Sequence, residues 1–106
     1  MDCVFCSLVG QRELFTGESE HFFSVRDIHP KSEGHTVVIL KEHCAHFGEL
    51  DFDLGNEFLE FVQDCVQKLG CESYNLVVNT GSESGQVISH FHLHIIPRRK
   101  ADGVHL

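Results

Sequence analysis

The sequence predicts an α+β protein built on an antiparallel sheet. Short alternating or β-branched runs follow one another with turns between them. One long amphipathic segment stands among them rather than between every pair. No repeated strand–helix–strand alternation is present, so a parallel sheet is not expected. With 106 residues, the chain is expected to form a single domain, spanning 1–106. A domain of this size buries roughly two-thirds of the surface that its unfolded form would expose.

The elements follow in order. Residues 4–9 are consistent with a short helical turn. "HFFSVRDI" (residues 21–28) reads as a strand, ended by "HPKSEG", where Pro30 and Gly34 mark a turn. "HTVVILKEH" (35–43) is a second strand, rich in β-branched residues, and the short connection suits an antiparallel hairpin. From Asp53 to Leu69 the apolar positions Leu54, Phe58, Phe61, Val62, Cys65, Val66 and Leu69 recur at helical spacing. Asp51 or Asp53 can cap this helix, and Gly70 is placed to end it. "YNLVVN" (74–79) is a third strand, and "TGSESGQ" (80–86) is a glycine-containing turn. "SHFHLHIIPR" (89–98) closes the order.

In that last stretch His90, His92 and His94 alternate with Phe91, Leu93 and Ile95. Alternation means a strand whose apolar residues face a core and whose histidines line the opposite face. Successive histidines would stand about 6.6 Å apart and the outer two about 13 Å. Zn–N bonds are only about 2.0–2.1 Å, so one ion cannot collect all three from a straight strand. At least one histidine therefore has a separate task, unless the row is simply a polar, half-solvated face.

Composition narrows the classes. The formal net charge is −8, which argues against a protein whose main business is gripping duplex nucleic acid, and no nucleic-acid partner is expected. A small phosphorylated ligand needs only a few local donors. "PRRK" (97–100) and Lys41 are candidates, and the competing interpretation of "PRRK" is a solvated strand end. The longest apolar runs, such as "TVVIL", are far too short to span a bilayer, so no membrane partner is expected. The start "MDCVFCSLVGQRELF" lacks a basic leader region. Together with the odd count of five cysteines, this favours a reducing cytoplasmic setting over a disulfide framework. "CVFC" (Cys3 and Cys6) is by itself open between metal, redox chemistry and chance. The strand–helix–strand setting of a thioredoxin-like site is missing. Cys65 reads as a helix core residue and Cys71 as a loop residue.

These pieces resemble the histidine-triad (HIT) family. "HFHLHII" is similar to its His-x-His-x-His motif, "RDIHPKSEGHTVVILKEH" to its Asp-Ile … Gly-His … Lys-x-His segment, and "NLVVNTGSESGQ" to its phosphate-side loop. The likeness runs over roughly residues 3–99 and is nearest to small HIT hydrolases with an N-terminal Cys-x-x-Cys. It implies a five-stranded antiparallel sheet with two helices, a homodimer in contact through the helix 53–69 and its neighbouring strand, and a small-molecule nucleotide substrate. It also implies nucleotidyl transfer or hydrolysis at the α-phosphate through a covalent nucleotidyl-histidine, on nucleoside phosphoramidates or dinucleoside polyphosphates.

By the same resemblance His92 is the nucleophile and His94 a donor to phosphate oxygens. Asn79 and the backbone around Gly85 and Gln86 are further donors, and Asp27 and Ile28 are ribose and base contacts. Without the resemblance, "TGSESGQ" reads as an ordinary loop and Asp27 as a turn residue. His35 of "GHT" reads as a supporting or packing residue. Relatives of this type carry a structural zinc, whose ligands map to Cys3, Cys6, His43 and His90. Such a site frees His92 and His94 for chemistry and leaves no open position on the metal. Cys44, of opposite strand parity to His43, is a poor ligand. Where relatives often have Ser after the Gly-Gln pair, this chain has Val87, which bears on protonation of an amine leaving group; Ser89 is not an assured substitute. Two other classes compete. One is a nucleotide-binding or protein-interaction module with weak or incidental catalysis. The other is a hydrolase with a catalytic zinc, which requires an open coordination position.

Overall fold

Alternation of apolar side chains along the strands gives the sheet two greasy faces, and each acquires its own cover. The computed structural model describes residues 3–100 and 102–103. Residues 1–2, 101 and 104–106, which the single-domain expectation includes, lie outside the described residues. The elements are α1 (Val4–Leu8), β1 (Phe15–Glu18), β2 (Phe22–Arg26), β3 (Thr36–Leu40), α2 (Gly55–Leu69), β4 (Ser73–Val77) and β5 (His92–Arg98). The five strands form one sheet in the order β1-β2-β3-β5-β4, with every neighbouring pair antiparallel. This is the expected α+β architecture of five strands and two helices.

One face buries Phe22, Val38, Leu40, Phe91, Leu93 and Ile95 against Phe61, Val62 and Cys65 of α2. Gly70, with φ +66°, ends α2 in the left-handed conformation, as expected of a C-terminal glycine. The helix starts two residues later than its periodicity suggests. Asp51 caps a separate 3₁₀ turn, Phe52–Leu54, by accepting the Asp53 N–H at 2.9 Å. Glu57 in the first turn of α2 accepts the His21 backbone N–H and pairs with His21 Nδ1, both at 2.7 Å. These bonds lock the helix to the β1–β2 turn.

The opposite face is covered by the N-terminal segment. Cys3 and Phe5 pack with Phe23, Val25, Val37 and Ile39. This is the face that carries the histidines. It is not a half-solvated surface: His90 is 0 % exposed and His92 8 %.

Strand β1 has no counterpart among the strands read from the residues. It is four residues long, contains Gly17, and shifts register between Phe15 and Gly17, so no period-2 signal survives in it. The strands predicted over 21–28, 35–43 and 74–79 are shorter in the structure. Their polar ends belong to connections that carry functional groups.

Candidate functional site

Strand β5 begins at His92, so His90 stands in the bend before it. This revises the uninterrupted seven-residue alternation expected from the sequence. The backbone explains the break: the His90 N–H donates to the Ile88 carbonyl at 2.8 Å and the Phe91 N–H to the Cys44 carbonyl at 2.6 Å. Freed from the pleat, the His90 ring turns inward. Its Nε2 lies 2.6 Å from the Leu40 carbonyl. A carbonyl can only accept, so Nε2 carries the proton and Nδ1 presents a lone pair. That lone pair faces Cys3 Sγ at 3.3 Å and Cys6 Sγ at 3.6 Å. Burial pushes the His90 imidazole below its usual pKa, which keeps it neutral and fit to ligate.

His43, just beyond β3, brings Nδ1 to 3.4 Å from Cys6 Sγ. The four ligand atoms of Cys3, Cys6, His43 and His90 lie within 4.8 Å of one another. Tetrahedral zinc, with bonds of about 2.3 Å to sulfur and 2.0–2.1 Å to nitrogen, would set S and N about 3.5 Å apart. The observed S···N separations bracket that value, so the donor set fits the ion in number, chemistry and spacing. Cys44 turns its thiol away, to the His46 carbonyl at 3.4 Å. A tighter acid–histidine trio, Asp27, His35 and His94, also lies within 4.8 Å, but its nitrogens are engaged with one another.

His92 and His94 share the buried face, with ring centroids 5.0 Å apart. His92 Nδ1 sits 2.7 Å from the carbonyl of His90 and must donate to it. In the neutral ring, Nε2 is then the nitrogen that carries the lone pair. The Phe5 ring meets the His92 ring edge-on at 4.8 Å and fixes its tilt. The polarity of the His94 side is set further back. The Lys31 backbone N–H donates to His35 Nδ1 at 3.0 Å, so His35 carries its proton on Nε2. That proton is donated to His94 Nδ1 at 2.9 Å, which leaves His94 with an Nε2–H. The Asp27 carboxylate stands 3.5 Å from His35 and 3.7 Å from His94. Burial, with His92 and His35 nearby, lowers the His94 pKa to about 4. His94 is therefore neutral near pH 7.

The remaining candidates are spread along the rim. Gly85 takes φ +100°, open to glycine alone at little cost, and a Cβ there would lie 3.9 Å from Asn79 Nδ2, so these two meet. The Gln86 side chain is already engaged. It accepts the Gly81 N–H at 2.8 Å and donates to the Ala45 carbonyl at 2.7 Å, shaping the loop. Val87 is 92 % and Ile28 85 % exposed. Asp27 caps its own turn by accepting the His29 N–H at 2.8 Å. Lys41 is paired with Glu18 at 2.6 Å, and Arg98, Arg99 and Lys100 line a separate cleft that includes no triad histidine. Phe5 was not singled out as a site residue from the sequence, where only its place between two cysteines marked it. The backbone acceptors at Leu40 and His90 leave no sequence signal at all.

The buried neutral histidines link stability to pH. A folded-state pKa near 4 for His94, against about 6.5 unfolded, means that the unfolded chain binds more protons between those values. Its contribution is complete above about pH 6.5 and is lost as pH falls toward 4. Between pH 7 and 5 the loss from His94 alone should be about 2 kcal/mol. Urea midpoints measured with chelator present at both pH values should show the drop, and His94→Asn should reduce it. Identical pH dependence in the two proteins would refute this account.

A model of the HIT domain matches residues 10–101. Among curated relatives, an uncharacterised HIT-like protein of Methanocaldococcus jannaschii is 38 % identical over 106 residues, covering 95 % of this chain and 82 % of the relative. The adenosine 5'-monophosphoramidase of Schizosaccharomyces pombe is 36 % identical over 100 residues, covering 92 % of this chain and 75 % of its own. Among solved structures, a zinc-bound histidine triad family protein from Mycobacterium smegmatis superposes with a TM-score of 0.85 at 29 % identity, over 100 % of this chain and 81 % of that one. The matched span takes in the hairpin, the glycine loop and all three triad histidines, and on that evidence the chain belongs to the HIT domain family.

Proposed function

We propose that the protein is a nucleotide hydrolase or nucleotidyl transferase that works through a covalent adduct on His92. The observation that carries this is the 2.7 Å bond from His92 Nδ1 to the His90 carbonyl, which leaves Nε2 as a lone pair on the site face. Nε2 attacks the α-phosphorus, and the bond from phosphorus to the leaving group breaks as the P–N bond forms. Water then attacks the same phosphorus, the P–N bond breaks, and the nucleotide and neutral His92 are regenerated. His94, through Nε2–H, donates to a phosphate oxygen as charge builds there. Asn79 supplies a further donor, and the Gly85 and Gln86 backbone, whose N–H groups donate to the Ser82 and Gly81 carbonyls at 3.1 Å, shapes the loop on that side. Asp27 and Ile28 border the nucleoside side.

The substrate class, nucleoside phosphoramidates or dinucleoside polyphosphates, rests on family membership and on the phosphoramidase named among the relatives. A panel comparing adenosine phosphoramidates, diadenosine polyphosphates and nucleoside diphosphate sugars would separate the choices. The second interpretation, a binding module with incidental catalysis, predicts saturable nucleotide binding without turnover on any of them. The setting we propose is cytoplasmic. Among the described residues, no helix is long and apolar enough to cross a membrane.

During turnover, substrate labelled at the α-phosphate should leave label on the protein that is lost in mild acid and retained in base. His92→Asn should still bind nucleotide yet lose turnover by several orders of magnitude. His94→Asn should cost on the order of 10²–10³. Near-full activity in both variants would remove the assignment.

The four-ligand cluster is proposed to hold a structural zinc that ties the N-terminal segment to the sheet beside His92. Cys3, Cys6, His43 and His90 fill a tetrahedral shell, so no position remains for an activated water. Elemental analysis of protein purified without added metal should give about one zinc per chain, and Cys3→Ser should destabilise more than a surface substitution. Less than about a tenth of an equivalent, with unchanged melting after chelation, would end this proposal.

The proposed assembly is a homodimer through β4 and α2. The edge strand β4 leaves Tyr74 42 % and Leu76 49 % exposed, and α2 leaves Leu59 59 % exposed. An unpaired edge of this kind invites a partner. Light scattering at micromolar concentration should give twice the mass of one chain; the single-chain mass would count against it.

A further inference from the structure

The cations of this acidic chain are gathered in one place. The chain has eight Lys and Arg residues and a formal charge of −8. Five of the eight, Arg26, Lys68, Arg98, Arg99 and Lys100, line one open cleft of about 780 Å³. The cleft lies on the α2 side of the sheet, between the end of β5, the start of β3 and the end of α2. Its lining includes neither a triad histidine nor a ligand of the four-atom cluster. Among the described residues, two acids, Glu33 and Glu72, line it, and a third, Asp102, is held by Arg98 at its edge.

The guanidinium groups are held in place. Arg26 donates to Thr36 Oγ1 at 2.6 Å. Arg99 donates to the Glu33 carbonyl at 3.3 Å. Arg98 is braced by Asn75 Oδ1 at 2.7 Å and by Asp102 at 2.8 Å. Such bracing restricts these side chains relative to a freely solvated strand end, and it leaves donors of Arg26 and Arg99 uncommitted to these partners. Arg98, neutralised by Asp102, is wall rather than ligand. Apolar lining is slight, chiefly Leu69 and Pro97, which suits a hydrated anion better than a protein surface. The volume falls within the roughly 300–1,000 Å³ of small-molecule sites and exceeds what one phosphate fills. Arginine forks match phosphate oxygens in pairs.

We propose that this cleft is a second ligand site, separate from the triad, that takes a small polyanion carrying two or more linked phosphate groups. It does not depend on the chemistry assigned to His92. Arg26, Arg99 and Lys100 contact the phosphates, and Lys68 adds field from the helix side.

The test is titration of the ¹⁵N-labelled full chain with inorganic tripolyphosphate, orthophosphate and ATP, followed by amide NMR. Tripolyphosphate should shift the amides of Gly34, Gly70 and Arg99 saturably, at concentrations at least about 10-fold below those orthophosphate requires. The response should weaken with added salt. Arg99→Ala combined with Lys100→Ala should raise the half-saturating concentration about 10-fold or more without changing the thermal melt. The His92→Asn protein should respond as the wild type does. ATP should compete for the same shifts if the phosphate chain is what is read. Shifts confined to His94, Gly85 and their neighbours would place the anion at the triad and overturn the proposal. A cleft response to ATP but not tripolyphosphate would overturn the assigned ligand class, as would displacement of tripolyphosphate by a glutamate-rich peptide.

Discussion

One bend in the backbone governs the histidine face. At His90 the chain leaves the Cys44–Leu40 neighbourhood and enters β5, and two carbonyls there each accept an imidazole N–H. The Leu40 carbonyl takes the one on His90 and so aims its other nitrogen at the thiols. The His90 carbonyl takes the one on His92 and so bares the nitrogen that faces the site. A single residue thereby joins the Cys3, Cys6 and His43 cluster through its ring and meets His92 through its backbone. Geometry at either place is transmitted to the other across one peptide unit. The N-terminal segment closes this arrangement from above, with Phe5 against both rings.

Much of this was legible in advance. Period-2 alternation located the buried face of β5, and the 3.6-residue period located α2 and its glycine stop. Family-specific motifs named Cys3, Cys6, His43 and His90, whose donor atoms lie within 4.8 Å of one another in the structure. What escaped was carried by backbone or by weak pattern. Strand β1 is too short and too broken to show a period. His90 looks like a strand residue because the bend that removes it is made by main-chain bonds to Ile88 and Cys44. His35 reads as a supporting or packing residue and does support His94, but that the supported ring lies 59 residues away is something no local spacing encodes. The Gln86 side chain, which the motif does not distinguish from its backbone, is engaged with Gly81 and Ala45 and shapes the loop.

The two faces of the sheet divide labour by charge as well as by shape. On one, burial keeps His35, His90 and His94 neutral, and a single carboxylate, Asp27, stands beside two of them. On the other, cations collect at the strand ends while acids dominate the remaining surface. Net charge alone gives no hint of this separation. An overall charge of −8 is compatible with a strongly positive cleft because charges act over about a Debye length, roughly 8–10 Å, and the molecule extends well beyond that.

The chain of bonds from Lys31 through His35 to His94 has a direction that chemistry cannot easily reverse. It begins at a peptide N–H, which never gives up its proton at ordinary pH, so each ring downstream is committed to one tautomer. In its resting state His94 therefore offers a hydrogen bond but holds no proton to spare, because a neutral imidazole is a very weak acid. Val87 adds no hydroxyl at the rim to make up the difference. A peptide N–H far upstream in the chain thus decides which way this row of protons points.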